Sequence, residues 1–202
     1  MQAFHLLGAE PFYTNTFLLI SDQGRAVIID PAAEVQAYDK ILNEHNARLA
    51  LILCTHGHYD HVGSAAALRR EWGAKLYCEA ADCCGTMLYP LKEADSGYAE
   101  GEVITLDELS FTVWHTPGHS KGSVVLLCGE YCFVGDTVFQ GSMGRTDLDG
   151  GDAHTMDESL RKFAGLPIPR ETQLLPGHGD FSTFGEELET NYYIRAALRA
   201  GK

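Results

Sequence analysis

A branched apolar run, Leu49-Ala50-Leu51-Ile52-Leu53-Cys54, leads without interruption into Thr55-His56-Gly57-His58-Tyr59-Asp60-His61. The run is short and continuous, which reads as a buried strand rather than a helix. At its end, four potential metal ligands fall within six residues. If His56 and His58 leave the strand in extended form, both side chains point the same way, because side chains alternate along a strand. Asp60 and His61 then lie in a turn ahead of a segment from Val62 to Arg70 that reads as helical. Neutral imidazole and carboxylate are the ligands that zinc and similar divalent ions prefer. The competing reading is a polar turn rich in histidine by chance, and the rest of the chain has to decide between them.

Three later segments supply further candidates. Thr116-Pro117-Gly118-His119-Ser120 follows a strand ending at His115, and its Pro-Gly pair forces a turn that can present His119. Gly135-Asp136-Thr137 follows the apolar Tyr131-Cys132-Phe133-Val134, and Pro176-Gly177-His178-Gly179 ends another apolar run. Each alone is weak, since a single polar residue in a turn is ordinary surface. Four ligand-rich turns at strand ends in one chain point to a metal site.

The remaining pattern predicts strands near residues 3–8, 16–20 and 26–29, then a helix near 34–46. A helix at 62–71, a strand at 75–78 and a helix near 79–87 come next, with 88–100 irregular. The second half predicts strands near 103–105, 110–115, 123–128 and 130–135, a helix near 153–164, a strand at 172–175 and one C-terminal helix from about 185. In that last helix Leu188, Tyr192 and the stretch from Ala196 to Leu198 form an apolar face directed at the core. Strands in two sets, each followed by helices, suggest two packed sheets with helices outside, in one domain over 1–202.

Composition removes several classes of function. A formal net charge of −13 argues against a nucleic-acid surface, which needs clustered Lys and Arg. No apolar run approaches the roughly 20 residues that span a bilayer, and the N-terminus lacks the pattern of a signal peptide. A cytoplasmic location is therefore expected. Of the six cysteines, Cys54, Cys78, Cys128 and Cys132 fall in predicted strands as small hydrophobes, and Cys83 and Cys84 are adjacent. Reduced, structural thiols are expected.

His56-x-His58-x-Asp60-His61, followed in order by His119, Asp136 and His178, resembles the metallo-β-lactamase-fold hydrolase superfamily over nearly the whole chain. The resemblance implies an αβ/βα four-layer sandwich of the α/β (α+β) class, with the metals at the edge between two sheets. It implies that His56, His58 and His119 bind a first divalent ion, that Asp60, His61 and His178 bind a second, and that Asp136 bridges them. His5, His45, His115 and His154 match no ligand position and read as structural or exposed. Two such ions, zinc first and iron or manganese otherwise, lower the pKa of a shared water from about 15.7 towards 7 and hold a developing oxyanion. Asp60 doubles as ligand and as the hydrogen-bond acceptor that orients the resulting hydroxide.

Within that superfamily, His58 stands where the flavin di-iron branch has Glu, and His61 where one lactamase subgroup has Arg. The segments from Gly141 to Leu148 and from Pro176 to Thr183 look like the compact bacterial glyoxalase II-like hydrolases, thioesterases of S-lactoylglutathione and related S-acyl thiols. The chain departs from the full-length family in ending before a helical extension that carries basic residues for glutathione. It also has Arg145-Thr146-Asp147 where relatives have Lys-Phe-Tyr, and Tyr192 after Asn191 where many have Pro. Arg145 is the candidate for substrate binding, with pairing to Asp147 or Asp149 the alternative. A mononuclear-iron persulfide dioxygenase of the same fold, which shares a Gly-Arg-Thr-Asp segment, is the second functional reading. A non-catalytic metal-binding module is the third.

Overall fold

The computed structural model describes residues 1–200. Its first sheet is built from β1 (Gln2–Leu7), β2 (Asn15–Ile20), β3 (Arg25–Ile29), β4 (Arg48–Leu53) and β5 (Lys75–Tyr77), side by side in that order. β1, β2 and β3 are antiparallel neighbours, while β3, β4 and β5 run parallel. The crossovers of the parallel part carry α1 (Val35–Glu44), α2 (Tyr59–Val62) and α3 (Ala65–Trp72).

The second half supplies β6 (Val103–Leu106), β7 (Leu109–His115), β8 (Val124–Cys128), β9 (Tyr131–Gly135), β10 (Val138–Phe139) and β11 (Ser142–Met143). Next come α4 (Ala153–Ala164), β12 (Gln173–Pro176), β13 (Ser182–Thr183), α5 (Phe184–Thr190) and α6 (Tyr192–Ala200). The second sheet has the order β13-β12-β9-β8-β7-β6, in which β9 and β12 are parallel and the other neighbours antiparallel.

Alternation along the strands sorts the core into three layers of side chains. Phe17 and Leu19 of β2 face Phe111, Phe133 and Leu175 of the second sheet, so the sheets pack face to face. Leu18 and Ile28 point the other way, onto Tyr38, Leu42 and Leu68 of α1 and α3. Val125, Cys132 and Val134 meet Met156, Leu160 and Phe163 of α4 and Ile194 of α6. The layers are therefore helix, sheet, sheet, helix, the αβ/βα sandwich that the sequence implies. All six cysteines are free thiols, and no helix among the described residues is long and apolar enough to cross a membrane.

Several expected elements differ. The helix predicted near 79–87 is only a single 3₁₀ turn, Ala80–Asp82. Glu79 and Asp82 are drawn into long-range bonds with Tyr98 N and Gly57 N, and Gly85 takes a left-handed φ of 66°. The segment from Tyr59 to Trp72 is two helices rather than turn plus helix, so Asp60 and His61 sit in a helical turn. The C-terminal helix is broken at Asn191, whose buried side chain accepts from the N–H groups of Tyr193 and Ile194 and donates to Ser142 O. The break rotates the apolar face: Ile194 and Ala197 are buried, while Tyr192 is 70% exposed and Leu198 40% exposed. The short β10, β11 and β13 carry too little pattern to be legible.

Candidate metal centre

Every candidate ligand leaves the end of a strand at one edge of the sandwich. His56 and His58 follow β4, and α2 adds Asp60 and His61 one turn later. His119 lies in the loop between β7 and β8. Asp136 and His178 follow β9 and β12, which are parallel neighbours, so both emerge side by side. Two glycines let these loops close up. A Cβ on Gly177 would lie 2.3 Å from Asp136 Oδ1, and one on Gly57 would lie 2.4 Å from Asp82 O.

The structure brings His56, His58 and His119 into one group and Asp60, His61 and His178 into another. His58 Nδ1 and His119 Nε2 are 2.8 Å apart. In the second group His178 Nε2 lies 3.2 Å from Asp60 Oδ2 and 3.4 Å from His61 Nε2. Asp136 stands between the groups, with Oδ2 3.3 Å from His119 Nε2 and Oδ1 3.3 Å from His61 Nε2. His5, His45, His115 and His154 belong to neither group.

The rings are oriented from behind. His119 Nδ1 donates to Arg145 O at 2.8 Å and His178 Nδ1 to Phe12 O at 3.2 Å. His61 Nδ1 donates to Asp30 Oδ2 at 3.0 Å. Thr55 Oγ1 donates to Asp30 Oδ2 at 2.6 Å, which leaves it to accept from His56 Nδ1 at 3.2 Å. In the neutral rings each Nε2 is then a bare lone pair aimed at the centre, the arrangement that metal-binding histidines take.

This donor set fits divalent ions. Among the described residues, His56 Nε2 and Asp136 Oδ1 are buried side-chain atoms without a hydrogen-bond partner, and His58 turns its Nδ1 towards His119 Nε2. Ligand atoms 2.0–2.1 Å from one tetrahedral ion stand about 3.3 Å apart. The ligand atoms within each group all lie within 4.8 Å of one another, with His58 Nδ1 and His119 Nε2 at 2.8 Å and His61 Nε2 and Asp60 Oδ2 at 3.7 Å. Asp30, His56 and His61 also lie close together, but Asp30 spends its oxygens on Thr55 N, Thr55 Oγ1 and His61 Nδ1. It orients ligands rather than serving as one.

The electrostatics agree with a cation site. Burial, together with the neighbouring His61 and His119, pushes the His56 pKa well below the ordinary imidazole value. Burial and His119 push that of His58 down to about 4, so both lone pairs are free at neutral pH. Burial opposes protonation of His61, yet Asp136 and Asp30 outweigh it and hold its pKa well above the usual value. Burial likewise opposes charge on the Asp136 carboxyl, but His61 and His119 outweigh it and keep it far below the usual range. An ionised Asp136 that holds a proton on His61, beside His56 and His58 with free lone pairs, favours positive charge at the centre.

Two acids in this framework were not singled out from the sequence. Asp30 is 3% exposed and has φ 48°, a left-handed conformation that Asp tolerates better than most residues. It follows the apolar Val27-Ile28-Ile29, the same signal that marks Asp136 after β9, so the sequence did offer a hint. Asp82 offered none, because it lies in a segment that reads as helix. Its Oδ2 accepts from Gly57 N at 3.0 Å and Ser120 Oγ at 2.7 Å, and its Oδ1 from Gly122 N at 2.9 Å. One buried carboxylate thus ties the loop of His56 and His58 to the loop of His119. In Asp82→Asn an amide N–H must face one of these N–H donors. The variant should bind an ion at the first group about 10–100-fold more weakly, with the second group less affected, in competition titration against a chromophoric chelator. Unchanged affinity in the folded variant would refute the clamp.

A cleft of about 620 Å³ opens over the centre, a size typical of small-molecule sites. Its walls include Phe12, Tyr59, Leu88, Phe139, Met143 and Leu148, with Arg145 at the rim. Phe12 and Tyr59 meet edge to face at 5.4 Å. The Arg145 guanidinium is engaged in a bidentate pair with Asp147, both contacts 2.7 Å.

Residues 9–178 match the metallo-β-lactamase superfamily model. The chain is 32% identical to hydroxyacylglutathione hydrolase GloC of Haemophilus influenzae, over 92% of this chain and 94% of that one. Among solved structures it is similar to the BLEG-1 B3 metallo-β-lactamase, with TM-score 0.83, 31% identity and coverage of 96% and 99% of the two chains. It is also similar to ETHE1 from Myxococcus xanthus, with TM-score 0.82, 27% identity and coverage of 100% and 92%.

Proposed function

The chain belongs to the metallo-β-lactamase superfamily, and from that membership and the architecture of its centre we propose a binuclear metal-dependent hydrolase that cleaves S-acyl thiols such as S-lactoylglutathione. The observation that carries the binuclear reading is the placement of Asp136. One carboxylate addresses His119 with one oxygen and His61 with the other, each at 3.3 Å, between two complete ligand groups. His56, His58 and His119 would hold one ion, Asp60, His61 and His178 the second, with Asp136 shared. Zinc suits the nitrogen-rich donor set best. The likeness to a hydroxyacylglutathione hydrolase along nearly its whole length supports a thioester as the substrate.

Bound divalent ions acidify a water and polarise a substrate carbonyl. The protein's own share is position and proton handling. Thr14 Oγ1 donates to Asp60 Oδ2 at 3.0 Å and fixes that carboxylate, which accepts a hydrogen bond from the attacking water and orients it. The backbone carbonyls of Arg145 and Phe12 keep His119 and His178 from turning. The apolar wall excludes bulk water from the acyl group, and Arg145, paired with Asp147, stands at the rim beside the bound substrate. A small acyl thiol, rather than nucleic acid, suits a chain of net charge −13, and six free thiols suit the cytoplasm.

A second reading, a mononuclear-iron dioxygenase of persulfides, is favoured by the likeness to ETHE1 and by Gly144-Arg145-Thr146-Asp147. One experiment separates the two. Protein saturated with zinc should approach two ions per chain and release thiol from thioesters, followed with a thiol reagent. A plateau at one ion, with oxygen uptake on glutathione persulfide and no thioester cleavage, would overturn the hydrolase.

A further inference from the structure

We infer that Asp147 sets the substrate class of this cleft: by neutralising Arg145 it leaves an apolar mouth that selects thioesters whose acyl group and carrier are uncharged. The inference rests on the thioesterase reading above and narrows it. Arg145 is the only Lys or Arg among the described residues lining the cleft. Its Nε and one terminal nitrogen donate to the two oxygens of Asp147, so one edge of the guanidinium is taken and its charge is offset by an anion already in place. A carboxylate reaching the remaining edge would meet a cation already paired with Asp147 and so gain less than from an unpaired one. It would also lie beside the Asp147 carboxylate, on a protein already at −13.

The rest of the lining asks for apolar contact. Phe12 is 45% exposed and Tyr59 41% exposed, an outlay of open aromatic surface beside a ligand cluster that an apolar ligand would cover. These walls are also fixed in advance. Tyr59 N donates to Leu88 O at 3.0 Å, and Phe12 O holds His178. A thiol carrier with two carboxylates, such as glutathione, finds no free cation here. A carrier ending in an amide or alkyl group finds preformed wall.

The test compares S-lactoylglutathione with the S-lactoyl ester of N-acetylcysteamine, which share the acyl group and differ in the carrier's charges. S-butyryl-N-acetylcysteamine adds an apolar acyl group. Zinc-loaded wild type should show kcat/KM at least about tenfold higher on both neutral esters. Asp147→Asn should narrow that ratio about threefold to fivefold, the effect of unmasking one exposed charge. Calorimetry with the corresponding uncleavable thioethers should show the same order of binding. Tenfold preference for the glutathione ester, or a ratio that Asp147→Asn leaves unmoved, would overturn the inference while keeping the thioesterase. Cleavage of none of the three esters would remove the thioesterase reading and this inference with it.

Discussion

Asp136→Ala is expected to lower turnover by at least about 10³-fold, beyond the roughly 10–100-fold that loss of an outer partner of a metal ligand produces. Thermal stability should scarcely change. The close polar contacts of the Asp136 carboxylate are with His61, His119 and His178, at 3.3, 3.3 and 3.6 Å. Its Oδ1 is buried with no hydrogen bond of its own. The side chain is therefore committed to the centre rather than to holding strands together. Its removal relieves a buried charge and leaves the two ligand groups without their shared member. Metal analysis should fall towards one ion per chain. The melting midpoint should stay within about 4 °C of wild type, the shift that about 1 kcal/mol makes in a chain of this size. Near-normal turnover in a folded variant, or two tightly held ions, would refute the shared role.

How much of this was legible follows from where information sits in a sequence. Strand β4 and the turn after it are a local signal: an apolar run and closely spaced donors, readable without knowing the partners. Asp136 and His178 each stand just past an apolar strand and His119 in the Pro-Gly turn after another strand, so local rules reach them one at a time. Their convergence is not local. It depends on β9 and β12 being parallel neighbours; the resemblance implied the shared ligand set, and neither it nor periodicity gave that strand order. Asp82 and Asn191 show the limit. Each is a polar residue in a segment of helical pattern, and each is buried because of a long-range demand, Gly57 N and Gly122 N for one and Ser142 O for the other. Intrinsic propensity yields to such tertiary contacts. The partner of Arg145 was visible as a possibility two residues away, but which acid would take it depends on the course of the loop.

Asp30→Asn is the sharpest probe of how the framework sets the ligands, because the substitution preserves shape and changes only hydrogens. Asp30 Oδ1 accepts from Thr55 N at 2.6 Å, while Oδ2 accepts from Thr55 Oγ1 at 2.6 Å and His61 Nδ1 at 3.0 Å. An amide has one acceptor oxygen where the carboxylate has two. If its oxygen faces Thr55 N, its N–H₂ faces His61 Nδ1, and the ring escapes the clash by moving its proton to Nε2. That proton then occupies the lone pair His61 directs at the centre, 3.4 Å from His178 Nε2. If the amide is turned the other way, its N–H₂ meets the buried N–H of Thr55, whose neighbour His56 is itself a ligand. Either outcome leaves a buried donor unsatisfied, at a cost of about 1–3 kcal/mol in stability. Affinity for the second ion and turnover should fall by about 10–100-fold. Nitrogen-15 spectra of the histidine rings distinguish the two routes, since a tautomer change at His61 moves the protonated signal from Nδ1 to Nε2. A variant with wild-type stability, two tightly bound ions and an unchanged His61 spectrum would show that Asp30 does not control the ring.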